Sequence, residues 1–217
     1  MNKEWSEQNK KMQSLIGKAD TFEEGKKVLF ALRDDLMKSL LAMKKDLKRE
    51  DLDAMPFMNA DGYHSKNIAY SIWHIFRIED IVAHTLIKGD EEVLFSGRYQ
   101  SRIKSPIVTT GNELVKEQIS DFTKQLDIDE LYSYIADVKK STEEIIRGMT
   151  YSDLKAKVSD ERKEKLISLG VVSTDENAVW LIDYWCGKDV RGLIKMPFSR
   201  HWIMHIEACL RIKNKLK

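Results

Sequence analysis

Apolar residues recur at intervals of three and four positions in four long segments, at about residues 21–48, 65–89, 127–148 and 197–216. This periodicity limits the possible folds more than any other feature, because an interval of 3.6 residues places side chains on one face of an α-helix. The 217 residues include only 10 glycines and 3 prolines, which leaves few of the turn signals that a many-stranded protein requires. The pattern therefore predicts an all-α protein with four long amphipathic helices.

Helix boundaries are marked by capping signals. The segment from Thr21 to Glu24 is typical of a capping box that opens the first long helix, and Gly89 is a natural stop for the second. Asp127 or Asp129 is expected to cap the third. The segment from Ser173 to Glu176 gives a further capping signal inside the last connection.

The connections between the four segments differ in length. The first is short enough for antiparallel neighbours, whereas residues 90–127 and 150–196 are long enough to cross a bundle and contain helical pieces. We therefore do not expect a simple up-down-up-down order. A chain of 217 residues can bury one large core, so we expect a single domain over residues 1–217.

Charge and composition exclude some function classes. The 36 basic and 35 acidic residues give a net charge of +1, which is not the electrostatic footprint of a protein that binds nucleic acid or an anionic membrane. The first eight residues are polar, and no segment approaches the length of a membrane span. Cys186 and Cys209 are far apart and form no CxxC pair, so we expect two buried thiols. The prediction is a soluble cytoplasmic protein.

The last segment places two histidines on the apolar face of its helix. His201 and His205 are one helical turn apart, so their imidazoles project in the same direction. In the second segment, His74 also faces an apolar to weakly polar stripe. Three neutral imidazoles can hold zinc or nickel and leave a coordination position open for water or substrate.

Spacing alone leaves the role of these histidines open. A pair at i and i+4 on an apolar face is more often part of the core or of a hydrogen-bonded structure than a metal site. There is no HExxH motif, because Glu207 follows both histidines and points about 200° away from His205 on the helix. A zinc-protease function therefore has no support.

Two segments carry a resemblance to a known family. Ser65 to Asp80, SKNIAYSIWHIFRIED, resembles the second helix of the DinB/YfiT-like superfamily, whose pattern there delivers the first metal histidine. Ser199 to His205, SRHWIMH, resembles that superfamily's final HxxxH helix. The resemblance covers nearly the full chain in histidine order, helix order and the long second connection.

The resemblance implies a four-helix bundle of up-down-down-up topology, often a homodimer, with a divalent metal held by His74, His201 and His205. Members of this damage-inducible family with assigned activity include S-transferases that use the thiols bacillithiol or mycothiol, and thiol-dependent isomerases. In that picture the metal would bind the thiol as a thiolate and present it to a small electrophile. The long insertions at 90–127 and 150–196 depart from a compact member, and substrate specificity would lie there.

Other assignments remain open from sequence. Asn67 and Tyr70 lie one or two turns before His74 on its face, where they could hydrogen-bond a substrate or bound water, or simply pack. Glu79 points about 140° from His74, which favours a salt bridge or an inter-helix contact over ligation. The tryptophans at 73, 180, 185 and 202 are expected in the core or at an interface.

Three functional hypotheses remain. The leading one is a metal-dependent thiol S-transferase, and the nearest alternative is a metal-dependent hydrolase. A non-catalytic metal-binding bundle with a stress-response role is the third. It would require a filled coordination sphere, or a site sealed by aromatic residues with no cavity leading to it.

Overall fold

The computed structural model describes residues 2–216. Helices account for 76% of the chain and residues 2–216 contain no β-strand, so the prediction of an all-α protein is confirmed. Within residues 2–216, one π-helical turn, Ile81–Lys88, follows directly after Asp80, and another, Met196–Arg200, directly precedes His201. The α-helices, numbered in chain order, are α1 (Lys3–Ile16), α2 (Phe22–Asp46), α3 (Arg49–Asp53), α4 (Ile68–Asp80), α5 (Val93–Ser96), α6 (Tyr99–Ile103), α7 (Glu117–Gln125), α8 (Ile128–Gly148), α9 (Asp160–Ser168), α10 (Glu176–Cys186), α11 (Val190–Lys195) and α12 (His201–Leu216).

The four predicted long segments correspond to α2, α4, α8 and α12. Helix α4 packs against both α8 and α12, and α12 also packs against α2. All 13 residues of α4 are buried, so this helix lies inside the molecule and has no solvent-exposed face. Its polar side chains must therefore find partners within the protein.

A buried ion-pair cluster fixes α4 against its neighbours. The Glu79 carboxylate accepts two hydrogen bonds from Arg33 on α2, at 2.9 and 2.7 Å, and a third from Trp202 Nε1 on α12, at 2.8 Å. Arg33 Nε also donates to Glu143 on α8. Glu79 thus forms the salt bridge and inter-helix contact expected of it, and the cluster links all four long helices.

The structure confirms one of the predicted helix caps and changes two others. Thr21 does not cap α2 with its side chain, because its hydroxyl donates to the carbonyl of Leu15 in α1 at 2.7 Å. Asp127 caps α8 as expected by accepting from the amide of Glu130. At the start of α10 the capping side chain is Asp175.

The long connections contain short helices, as expected: α5, α6 and α7 precede α8, and α9, α10 and α11 precede α12. Cys209 is buried, but Cys186 is only partly buried, so the prediction of two buried thiols is wrong for Cys186. Trp180 is 50% exposed and is not a core residue, unlike the other three tryptophans singled out above. No helix within residues 2–216 has the length and apolar character needed to cross a bilayer.

Candidate metal centre

Three buried histidines from two helices converge at one point. His74 comes from the middle of α4, and His201 and His205 come from the first two turns of α12. The candidate ligand atoms of the three imidazoles all lie within 4.8 Å of one another, and the side chains are 4–8% exposed. These three residues could hold a metal ion.

The orientation of the His74 ring is fixed by a backbone carbonyl. His74 Nδ1 donates to the carbonyl of Thr110 at 2.9 Å, which leaves the lone pair on Nε2. A hydrogen bond of this kind is the usual partner of a metal-ligating histidine, because it selects the tautomer and holds the ring in place. The ring of Tyr70 stacks on the same imidazole, with centroids 5.5 Å apart and planes 12° from parallel.

The carbonyl of Thr110 is itself held by a larger arrangement, which we call the carbonyl ladder. Residues 108–111 run alongside α4, and each of their four carbonyls accepts a hydrogen bond from an α4 side chain. The loop is therefore anchored to the helix through its backbone. The pairs are Tyr70 with Gly111 (2.9 Å), Trp73 with Thr109 (3.1 Å), His74 with Thr110 (2.9 Å) and Arg77 with Val108 (2.7 Å).

The other two histidines are placed by the start of α12. The π-helical turn just before His201 contains Pro197, and the Phe198 carbonyl in that turn accepts from Arg33 Nη1 at 3.0 Å. Turns of this type disturb the regular helical hydrogen bonds and are frequent near functional sites. Because Trp202 donates to Glu79, the start of α12 is also tied to α4. The ion-pair cluster therefore sets the spacing between His74 and His201.

Burial keeps the three imidazoles in the form that binds metals. Burial lowers the pKa of His74 to about 4, although its hydrogen bond to Thr110 acts in the opposite direction. Burial, with the nearby histidines as a smaller cause, lowers the pKa of His201 and His205 well below the usual value. All three are therefore neutral at pH 7 and offer lone pairs, as metal ligation requires.

The spacing of the nitrogens fits a shared cation. His74 Nε2 and His201 Nε2 are 3.2 Å apart. Two imidazole nitrogens bound to one tetrahedral ion at about 2.0–2.1 Å would be roughly 3.3 Å apart. The lone pair of His74 Nε2 faces His201 Nε2. Either a proton carried by His201 Nε2 or a cation bound by both nitrogens therefore lies between the two atoms.

The Nδ1 atoms of His201 and His205 are buried and have no hydrogen-bond partner within residues 2–216. Eight other buried side-chain atoms in these residues share this property, so it does not distinguish the site. In a histidine that binds a metal through Nε2, Nδ1 lies on the far side of the ring. The fit to a metal ion therefore rests on the three neutral imidazoles and on the spacing of the Nε2 atoms of His74 and His201.

A cavity of about 570 Å³ leads to the histidines. The three imidazoles contribute to its lining, and α10 supplies a wall that includes Trp180, Tyr184 and Trp185. This volume is within the range of about 300–1,000 Å³ that is usual for small-molecule sites. The arrangement can therefore bring a small molecule against the three imidazoles.

The structure places the two expected neighbours of His74 differently. Tyr70 lines the cavity and stacks on His74. Asn67 instead caps α4 through the Tyr70 amide, and its Nδ2 donates to Thr123 Oγ1 at 2.9 Å and to the carbonyl of Asp53. Its amide group is thus fully used in the helix cap, and Asn67 is not among the residues that line the cavity.

His84 belongs to a separate polar cluster, in which its two ring nitrogens have side-chain partners. Counted at 100° per residue, His84 is displaced by about 80° from His74, which predicts a position at the edge of the helix, but this prediction is wrong because the structure buries His84. Its Nδ1 donates to Asp90 at 2.7 Å and its Nε2 contacts Ser141 Oγ at 3.0 Å. This is the order of a serine, histidine and aspartate triad, but Ser141 lies within α8, where the helix uses the nearby backbone N–H groups that would otherwise stabilise an oxyanion. We interpret it as a structural link between α8 and the end of the π-helical turn.

Several residues of the site were not anticipated. Thr110 acts through its carbonyl, which every residue possesses, so no sequence signal could have singled it out. Tyr63 packs its ring 5.4 Å from that of His205, and Lys66 lines the cavity. Both precede the first residue of α4. Lys66 lies inside the Ser65 to Asp80 segment that carries His74, and that position was the sequence signal available for it.

Comparison of the sequence with protein-family models gave no match, and comparison with curated proteins gave none either.

Proposed function

We propose that the chain is a divalent-metal-dependent enzyme in which His74, His201 and His205 hold zinc or nickel. We further propose that it transfers a low-molecular-weight thiol, such as bacillithiol, to small electrophiles. One observation carries the proposal: three neutral imidazoles converge where a cavity of small-molecule size reaches them.

This observation favours an enzyme over a non-catalytic metal-binding bundle. A purely structural centre would have a filled coordination sphere or be sealed from solvent. Within residues 2–216 the cluster of candidate ligands has three members, and all three line the cavity. A three-ligand site of this form has room for a reacting molecule.

In the proposed reaction, the metal ion and the protein residues have separate roles. When bound, zinc or nickel would lower the pKa of a thiol or of water and so supply a nucleophile near neutral pH. In the transfer, the thiol proton passes to solvent, the sulfur bonds to the electrophilic carbon, and the leaving group departs with the bonding electron pair. Thr110 holds His74 in the ligating tautomer, and the aromatic residues of α10 form a wall of the cavity that the three imidazoles also line.

Architecture supports the same proposal. The packing of α4 against α8 and α12, and of α12 against α2, is what a four-helix bundle of the DinB/YfiT-like type would produce. The up-down-down-up order, the homodimer and a cytoplasmic location stay predictions. Membership in that superfamily is also a prediction, and it rests on the two motifs that carry His74, His201 and His205.

Metal content is the first test. The protein, purified without a polyhistidine tag, is reloaded with zinc or nickel, dialysed, and measured by plasma mass spectrometry beside His74→Ala and His201→Ala. We expect near-stoichiometric metal in the wild type and none in either variant. His64→Ala is the matched control, because His64 lies near the site but outside the cluster. Metal retained by both ligand variants would refute the centre.

The reaction is tested separately. The metal-loaded protein is incubated with monochlorobimane, with and without bacillithiol, and the fluorescent thioether is followed. We expect turnover that requires both thiol and metal and is lost in His205→Ala. Metal-dependent consumption of the electrophile without thiol would instead establish hydrolysis and exclude the transferase.

A further inference from the structure

The cavity above the histidines has an unbalanced charge. Among residues 2–216, those that line it include one lysine, Lys66, and no aspartate or glutamate. The nearby acidic residue Glu113 accepts a hydrogen bond from Thr109 and is not part of the lining. A ligand in this cavity therefore meets a cation and no carboxylate.

The ammonium group of Lys66 has capacity for a ligand. Its Nζ donates to the carbonyl of Leu114 at 3.0 Å and lies 5.0 Å from the centre of the Tyr70 ring. An ammonium has three N–H donors, so this one hydrogen bond leaves others free. Lys66 forms no ion pair with a carboxylate in residues 2–216, and burial lowers its pKa. A partly buried cation without a counter-ion gains from binding an anion.

The histidines add to this imbalance. Three neutral imidazoles leave the two charges of a bound divalent ion uncompensated, because none of the ligands is a carboxylate. Lys66 already acts on the same region, since its charge contributes to the lowered pKa of both His74 and His205. Both positive groups would attract the same anionic ligand.

The aromatic and apolar walls of the cavity indicate the shape of the part of the ligand that lies away from Lys66. Trp180, Tyr184 and Trp185 of α10 line one side, and Ile78 and Met204 contribute apolar surface elsewhere. Side chains of this kind favour flat apolar bodies, which bury the aromatic surface and stack on the rings.

We propose that this cavity binds a small carboxylate with a flat apolar body, and that Lys66 pairs with its carboxylate group. This inference rests on the proposed function, because it takes the cavity to be the substrate site. It names the substrate class as an anionic aromatic or similarly flat molecule. Lys66 is then a specificity-determining residue.

The test compares 2-naphthoate with its neutral analogue 2-naphthamide by titration calorimetry on the full-length, metal-free protein. We expect 2-naphthoate to bind about tenfold more tightly, as a charge-assisted hydrogen bond predicts. In Lys66→Met the two probes should bind equally, and Lys66→Arg should restore the preference. Lys157→Met is the matched control, because Lys157 lines a separate groove with Lys88 and Arg162.

Three results would overturn the proposal: no binding of either probe, equal binding of both to the wild type, or a preference that persists in Lys66→Met. Circular dichroism checks that each variant is folded. If Lys66→Met is not folded, Lys66→Gln replaces it, because this change also removes the charge but keeps an N–H donor for the Leu114 carbonyl.

A zinc-loaded sample separates this proposal from the metal centre. If zinc strengthens 2-naphthoate binding in the wild type but not in His201→Ala, both proposals gain support. If zinc has no effect while the preference still depends on Lys66, the anion site stands without a contribution from the metal, and the metal-content measurement alone decides the metal centre.

Discussion

Two buried polar clusters meet α4, and they differ in how completely their atoms are paired. Around Glu79, both carboxylate oxygens and every nitrogen of Arg33 have hydrogen-bond partners. Around His74, the Nδ1 atoms of His201 and His205 have none within residues 2–216. The charges around Glu79 are paired with one another and hold the helices together, whereas the neutral imidazoles around His74 have no charged partner and can hold a ligand.

Removing the carboxylate of the paired cluster should have the largest effect. Glu79→Ala leaves the buried Arg33 charge without its main partner, so we expect the free energy of unfolding to fall by about 3–5 kcal/mol. Urea denaturation followed by circular dichroism measures the change. Glu7→Ala is the control, because the Glu7 side chain is exposed and pairs only with Lys3 at the surface. A loss no greater than that of the control would mean that the cluster does not hold the helices.

Adding zinc should have the next largest effect on stability, and it should act only through the cluster of His74, His201 and His205. With free zinc about 100-fold above its dissociation constant, the wild type should gain about 2.7 kcal/mol of stability. His201→Ala should gain nothing, because it removes one of three ligands. Thermal denaturation with and without zinc gives the comparison. An equal gain in both proteins would place the bound zinc elsewhere.

A smaller effect should follow from loosening the carbonyl ladder. Tyr70→Phe removes the hydrogen bond to Gly111, which should cost about 1 kcal/mol of stability. Because the Thr110 carbonyl would be held less firmly against His74, zinc affinity should fall by about tenfold. Competition with a chelating dye measures that affinity. Tyr63→Phe serves as the control, since Tyr63 contacts His205 through its ring. Equal affinities for the two variants would show that the ladder does not orient His74.

The smallest effect on the site is expected from Thr109→Val. This change removes the hydroxyl that donates to Glu113 but keeps the backbone carbonyl that accepts from Trp73. Stability should fall by about 0.5–1.5 kcal/mol while zinc affinity stays the same. The same dye competition checks this. A large loss of zinc affinity would mean that side chains of the ladder, and not its carbonyls, support the centre.

Helical periodicity predicted much of this structure because it is a local property. It indicated α2, α4, α8 and α12, and it placed His201 and His205 on the face of α12 that meets His74. The same rule failed at His84, which lies in the π-helical turn after Asp80. Every residue from Ile81 to Leu86 is buried there, so no side-chain direction on this turn reaches solvent and an angle cannot identify an exposed edge.

Long-range contacts could not be predicted in this way. The α10 wall of the cavity lies about a hundred residues from His74 in the chain, and nothing in the segment around Trp180 specifies that contact. Thr21 illustrates the same limit on a smaller scale. Its capping motif was present, but the carbonyl of Leu15 was a competing partner that only the folded hairpin of α1 and α2 provides.

The carbonyl ladder has a consequence for how this part of the chain can vary. From Tyr70 to Arg77 the helix advances by seven residue steps and rises roughly 10.5 Å. From Val108 to Gly111 the loop advances by three residue steps and can span at most roughly 10–11 Å. The loop therefore has little slack between its two end contacts. Any residue offers a carbonyl, but position 111 favours glycine, because its φ is +78° and a Cβ atom there would lie 3.0 Å from the Tyr70 ring. The length of the loop is constrained as well: deleting one residue would shorten its reach by about 3.5 Å, so the Tyr70 and Arg77 side chains would have to move to keep both end contacts.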